Sequence, residues 1–211
     1  MDKPVIIFGA NAIGRAAYEI FTSNDILIYC FLDDQEELIG TEINDVRVLG
    51  KTDDDAFLKY IGHKCEAFVA SDDNELRKSI VEMLINRRKI MPVNANHKKA
   101  ELSSSSILGH GNFINAGAIL GTDVEIGNHC IIHANSIFEY GVKTGDFVQI
   151  GSGTIINSEV VIEDEVFIGS GVTIVSGIRI GKQARIGAGS VVISDVKEGD
   201  TIFGNPAKPI D

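Results

Sequence analysis

Cationic side chains are scarce in this 211-residue chain: 19 Lys and Arg stand against 30 Asp and Glu, a net charge of -11. No Lys/Arg cluster stands out, which argues against nucleic acid as a partner, since phosphate backbones are held by basic patches. The acidic balance does not forbid small anionic ligands, because a pocket of backbone N–H groups binds phosphate whatever the overall charge. Cysteine is nearly missing as well. Cys30, Cys65 and Cys130 are odd in number and lack metal-ligand spacing, so no disulfide framework and no metal is expected. Long apolar runs are absent: Ile26 to Leu32 is among the longest, against the ~20 residues needed to cross a bilayer. The N-terminus has no signal-peptide pattern. These absences predict a cytoplasmic protein with no membrane partner.

What the chain does have is a period of six. Stepping from Leu108, the positions Ile114, Leu120, Ile126, Ile132, Phe138, Thr144, Ile150, Ile156, Ile162, Ile168, Ile174, Ile180, Ile186 and Val192 are apolar except Thr144. Four residues after most of these sits a small or β-branched residue such as Ala118, Val124, Cys130 or Val148, with Asn112 the misfit. The next position is often Gly, as at Gly109, Gly127, Gly145 and Gly169. A period of six fits neither the 3.6 of a helix nor the alternation of a plain strand; it is the repeat of a parallel β-helix. Each sextet predicts one short strand and a turn, three sextets close a triangular coil, and coils stack at the ~4.8 Å spacing of strands. The large residue points to the axis, the small one fits the inner corner, and Gly and Asn at the turns tolerate unusual backbone angles. Prisms of this type coil left-handed, against the usual crossover rule.

The first third reads differently. Apolar runs at Pro4–Ala10, Ile26–Leu32, Val46–Leu49, Cys65–Ala70 and Lys89–Val93 predict five strands. Helical stretches fall at Arg15–Ser23, Asp53–Ile61 and Asp73–Arg88. The last has Leu76, Ile80, Met83 and Leu84 on one face and Asp72 or Asp73 as cap. Alternating strands and helices make a small doubly wound, Rossmann-like α/β domain over residues 1–94. A bridge and first partial coil follow at 95–107, the left-handed β-helix at 108–197, and a capping tail at 198–211. The fold class is α/β plus all-β.

In doubly wound folds ligands sit at the carboxyl ends of the strands, and the first strand-to-helix turn takes phosphate on its amides. Gly9-Ala-Asn-Ala-Ile-Gly14 is placed for that, with Asn11 where the dinucleotide fingerprint has its middle glycine. Asp33 and Asp34 end the second strand, where an acid commonly meets a ribose or base. Gly9, Asn11, Ala12, Ile13, Asp33, Asp34 and Asp72 are the candidate substrate-binding residues.

An α/β domain followed by hexapeptide coils and a closing Gly204-Asn-Pro-Ala-Lys208 resembles the acyltransferases that N-acetylate nucleotide-linked amino sugars, and their sialic acid O-acetylating relatives. The segment Asp73-Asn74-Glu75-Leu76-Arg77, His97 and Gly187-Ala188-Gly189 fit the same pattern. The resemblance implies a UDP-, dTDP- or GDP-linked amino sugar on the N-terminal domain and acetyl-CoA as co-substrate along the prism, between neighbouring copies of a homotrimer. Acyl transfer to an amine needs a base for the amine's proton and a donor for the oxyanion. The family's base is a His after a Glu, with a second His nine residues on that contacts acetyl-CoA. The matching positions here are Glu139-Tyr140 and Gln149. Tyr140, Glu139 and His133, the last as a relocated imidazole, are therefore the catalytic candidates. Gln149, Ser158, Ser170 and Ala188 match positions that touch acetyl-CoA. A hydroxyl acceptor of the sialic acid type and a catalytically silent trimeric relative are the alternatives, the latter because both histidines are replaced.

Overall fold

The computed structural model describes residues 3–210, so the ends of the predicted 1–94 and 198–211 segments (residues 1, 2 and 211) lie outside the described residues. The chain divides after Lys98 into two compact units.

The first unit is a five-stranded sheet flanked by helices: β1 (Val5–Phe8), α1 (Ala12–Ser23), β2 (Ile28–Leu32), β3 (Glu42–Ile43), β4 (Val46–Gly50), α2 (Asp55–Leu58), β5 (Glu66–Val69) and α3 (Asn74–Arg88). Its order is β3-β4-β2-β1-β5, with β1, β2, β4 and β5 parallel. Phe8, Phe31, Leu32 and Phe68 are fully buried, as strands covered on both faces require. The predicted fifth strand at Lys89–Val93 does not form. Lys89 takes a left-handed conformation that stops α3, and only Val93 N–H reaches the sheet, donating to Ala67 O over 2.9 Å. The fifth strand is instead β3, an antiparallel hairpin partner of β4. Its turn residues Asn44 and Asp45 both have positive φ, the geometry that matches the twist of hairpin strands. Helix α1 begins three residues earlier than expected because Asn11 caps it, accepting from Gly14 N–H. Helix α2 is a single turn, far shorter than Asp53–Ile61. Helix α3 turns Arg77, Ile80, Val81 and Leu84 inward and leaves Leu76 46% exposed, so its buried face is rotated from the expected one, and Asp73, not Asp72, is the cap.

The second unit is the predicted column. Two-residue strands recur every six residues from Glu101–Leu102 to Val191–Val192. Each as far as Thr173–Ile174 pairs in parallel with the strand eighteen residues on, as in Ile119↔Ile137, Ile131↔Gln149 and Val161↔Arg179. Three walls result, wound as a left-handed β-helix. Ile132, Ile150, Ile168 and Ile186 stack up one inner wall, Phe138, Ile156 and Ile174 another, and Val124, Val142 and Val160 fill an inner corner. The two breaks in the pattern are satisfied polar groups. Buried Asn112 donates to Gly127 O and accepts from Cys130 N–H, and Thr144 Oγ1 accepts from Gly127 N–H.

The glycines after the large residue have a different cause from the one expected. Positive φ falls two positions later, at residues such as Asp123, His129, Asn135, Phe147 and Glu159. Gly127 is glycine because a Cβ there would lie 2.3 Å from Gly145 O in the next coil; at Gly151 it would lie 2.4 Å from Ser170 N. Close stacking of the ridges, not turn geometry, demands them. The tail does more than cover the last coil: Thr201–Gly204 adds a parallel strand on Arg185–Ile186, and Ala207–Pro209 folds back antiparallel on it, with Ile202 5% exposed against the core.

Candidate functional site

At the carboxyl ends of β1, β2 and β5 lies a cavity of about 250 Å³, lined by Gly9, Asn11, Asp33, Asp34, Gln35, Thr52, Ser71, Leu76 and Ile80 among others. The loop that floors it admits only glycine at two places. Gly9 has φ +112 and a Cβ would meet Ala70 O at 2.3 Å; a Cβ on Gly14 would meet Gly9 O at 2.0 Å. Asn11 ties this loop across the sheet, its Nδ2 donating to Ala70 O over 2.8 Å. The amides of Ala12 and Ile13 open the helix, where no intrahelical acceptor exists.

Asp33 is 7% exposed. Its Oδ2 accepts from Ala10 N–H at 2.7 Å and its Oδ1 from Gln35 N–H at 2.9 Å. A buried carboxylate so engaged fastens the loop between β1 and α1 to the end of β2, and Asp33 also lines the cavity. Asp34 accepts from Thr52 N–H and Oγ1. Of the predicted substrate residues the cavity gathers Gly9, Asn11, Asp33 and Asp34. Ile13 turns its side chain into the core at 7% exposure and is outside the lining. Ala12 and Asp72 are exposed and outside the lining. Sequence reasoning missed Ser71 and Thr52, and it named Arg77 only as the end of the Asp73–Arg77 segment, without a role. Arg77 is 1% exposed and donates to Ser71 O and Asn74 Oδ1, bracing the loop between β5 and α3. The signal was its place on the inward stripe of α3, between Asp73 and Ile80.

On the column the predicted residues separate onto two ridges. Glu139, Tyr140 and Ser158 share the ridge after the Ile137–Phe138 wall. His133, Ser170 and Ala188 share the ridge after the Ile131–Ile132 wall, and Gln149 stands on that wall between Ile131 and Phe167. One wall of the prism separates the groups, so His133 does not join Tyr140 within one copy. The His133 ring packs edge-on to Phe113, centroids 6.2 Å apart. His129, another turn imidazole, is buried and lies 5.0 Å from the Phe147 ring. Tyr140 is 50% exposed, and its hydroxyl donates to Glu159 Oε1 over 3.0 Å. That hydrogen bond, with the repulsion of the same carboxylate, raises the phenol above its usual 10. Tyr140 is thus a neutral donor near pH 7 and no base by itself.

Two kinds of family model match the chain: the PglD N-terminal domain over residues 4–84, and bacterial transferase hexapeptide repeats over 105–139, 141–176 and 159–194. A model for the hexapeptide repeat of succinyl-transferase matches 123–158. Curated protein sequences yield no match. Among solved structures, a histidine-to-asparagine variant of perosamine N-acetyltransferase from Caulobacter crescentus, in complex with CoA and GDP-perosamine, is 25% identical with a TM-score of 0.90, over 100% of this chain and 98% of that one. The acetyltransferase domain of PglB from Neisseria gonorrhoeae in complex with acetyl coenzyme A gives 25% and 0.90, over 100% of both chains. WeeI from Acinetobacter baumannii, at 24% identity and a TM-score of 0.87 over 98% of this chain and 99% of that one, shares the fold. With a PglD-type domain and hexapeptide coils on one chain, this protein belongs to the hexapeptide-repeat acyltransferases with an N-terminal α/β domain, the family of the nucleotide-amino-sugar N-acetyltransferases.

Proposed function

We propose that this protein transfers the acetyl group of acetyl-CoA to the amino group of a nucleotide-linked amino sugar in glycan biosynthesis. The observation that carries the reading is the end-to-end match, at a TM-score of 0.90 and 25% identity, to enzymes bound to acetyl-CoA or to CoA with GDP-perosamine. The cavity at the carboxyl ends of the strands suits the nucleotide: its floor offers helix-start amides to phosphate, and Asp33 and Asp34 stand where a ribose or base would arrive. Acetyl-CoA lies along the prism, with Ser158, Ser170 and Ala188 small enough to let a pantetheine arm follow the backbone, and Gln149 within reach as a hydrogen-bonding side chain. Tyr140, Glu139 and His133 are the groups proposed around the reacting atoms.

The active form is a homotrimer. A cyclic trimer joins two different patches head to tail, which lets the Tyr140 ridge of one copy face the His133 ridge of the next. The wall between them suits an interface, since Ile119, Ile137 and Ile155 point outward in a row and two of them are exposed. Acetyl-CoA and nucleotide sugars are cytoplasmic metabolites, which places the enzyme there; among the described residues no helix is long and apolar enough to cross a membrane.

The reading is tested by mixing the protein with acetyl-CoA and a panel of UDP-, dTDP- and GDP-linked amino sugars, and following thiol release. Turnover with at least one acceptor, with the acetamido sugar as product, is expected. Absence of turnover with every acceptor, alongside tight acetyl-CoA binding, would leave a silent scaffold.

A further inference from the structure

The reaction needs a proton acceptor, and the ridge proposed to hold it carries no histidine: Asp123, Glu139, Tyr140 and Glu159 are its titratable groups around Tyr140. Tyr140 and Glu159 are joined twice. The phenol donates to Glu159 Oε1 over 3.0 Å, and Glu159 N–H donates to Tyr140 O over 3.0 Å. Gly141, at φ +67, makes the turn between them, and Glu159 Cγ passes beside it at van der Waals distance, 3.7 Å from where a Cβ would stand. The pair is held by adjacent coils of the most regular part of the fold, yet both side chains are exposed, so the phenol oxygen keeps a lone pair turned to solvent.

Resting on the acyl-transfer reading above, the geometry points to a Tyr140–Glu159 dyad as the proton acceptor, with Glu159 taking the proton through the phenol where a histidine would take it directly. The balance is simple. The sugar amine nitrogen bonds to the thioester carbonyl carbon, and the carbon–sulfur bond then breaks. As the nitrogen loses its proton to Tyr140 Oη, the phenol's own proton passes to the Glu159 carboxylate. The departing CoA thiolate takes that proton back, which restores the carboxylate and phenol for the next turnover. Neither group suffices alone, since a neutral phenol is too weak a base and the carboxylate sits one hydrogen bond behind it.

The test is steady-state kinetics of Glu159→Gln, Glu159→Asp, Tyr140→Phe and the Glu159→Gln/Tyr140→Phe double variant across pH. Glu159→Gln and Tyr140→Phe are each expected to lower kcat by about 100-fold, with the KM for acetyl-CoA unchanged, and the double variant to lose no more than the worse single. Glu159→Asp, which keeps the carboxylate, should retain more activity than Glu159→Gln. Any acid limb of the kcat profile should vanish in Glu159→Gln. An active wild type whose Glu159→Gln variant keeps most of its kcat overturns the dyad, as does an acid limb near the histidine value of about 6.5 that His133→Ala removes. A wild type inactive with every acceptor overturns the acyl-transfer reading itself, a distinguishable result.

Discussion

The glycines of the column divide into two kinds at two phases of the repeat, one residue and three residues after the large apolar position, and the two have different causes. Gly127 sits where the ridge of one coil presses on the next, 2.3 Å from Gly145 O to any added Cβ, whereas Gly153 has open space around it and a φ of +69. Gly127→Ala must push two backbones apart and is expected to cost roughly 3 kcal/mol. Gly153→Ala faces only the strain of a left-handed residue, about 1 kcal/mol. Urea titration of the two variants checks the ranking; equal losses would mean that stacking distance is not what selects glycine. Both positions were visible in the sequence as glycine at two phases of the period of six, but only the contact of Gly127 with a residue eighteen positions on shows that its cause is stacking and not turn geometry. The same holds for Asn112 and Thr144, which look like errors in the repeat until their partners Cys130 and Gly127 are seen.

Secondary elements show where local pattern suffices and where it fails. The long helix α3 and the parallel strands follow from apolar runs and caps, and so were legible. The strand expected at Lys89–Val93 had the right composition, yet a segment held to the sheet by one amide bond forms no ladder, while the Asn44–Asp45 turn made β3 from a segment with little apolar content. Helix α1 and the loop before it stand on Asn11, which both caps the helix and grips Ala70 O. Asn11→Ala should therefore lower stability by about 1 to 2 kcal/mol, seen as a lower thermal midpoint, and raise the KM for the nucleotide sugar with kcat nearly unchanged. An unchanged midpoint would show that the loop is held by Asp33 alone.

For the molecule as a whole, the outward faces of the prism are unequal. One wall carries Ile119, Ile137 and Ile155, another Glu125, Lys143 and Arg179 with their ion pairs to neighbours. An apolar face on a chain of net charge -11 is the natural seat for a copy of itself. Light scattering is expected to give three times the 22.7 kDa chain mass, and Ile137→Glu with Ile155→Glu to yield monomers with kcat/KM lowered by at least about tenfold, since the donor site is then open on one side. A monomeric wild type would remove the basis for joining the two ridges.

The order of residues alone settled the column, because a side chain every sixth place has no other way to leave water than to stack on the same axis. It also settled the α/β character of the first third. Folding decided how each polar group is used. Asp33 fastens a loop twenty-three residues back, Ile13 turns inward, and Tyr140 finds Glu159 on the next coil, turning a phenol that matched a missing histidine into half of a pair. These contacts join residues distant in the chain, and hydrogen-bond saturation is a property of the partners present, which no local period encodes.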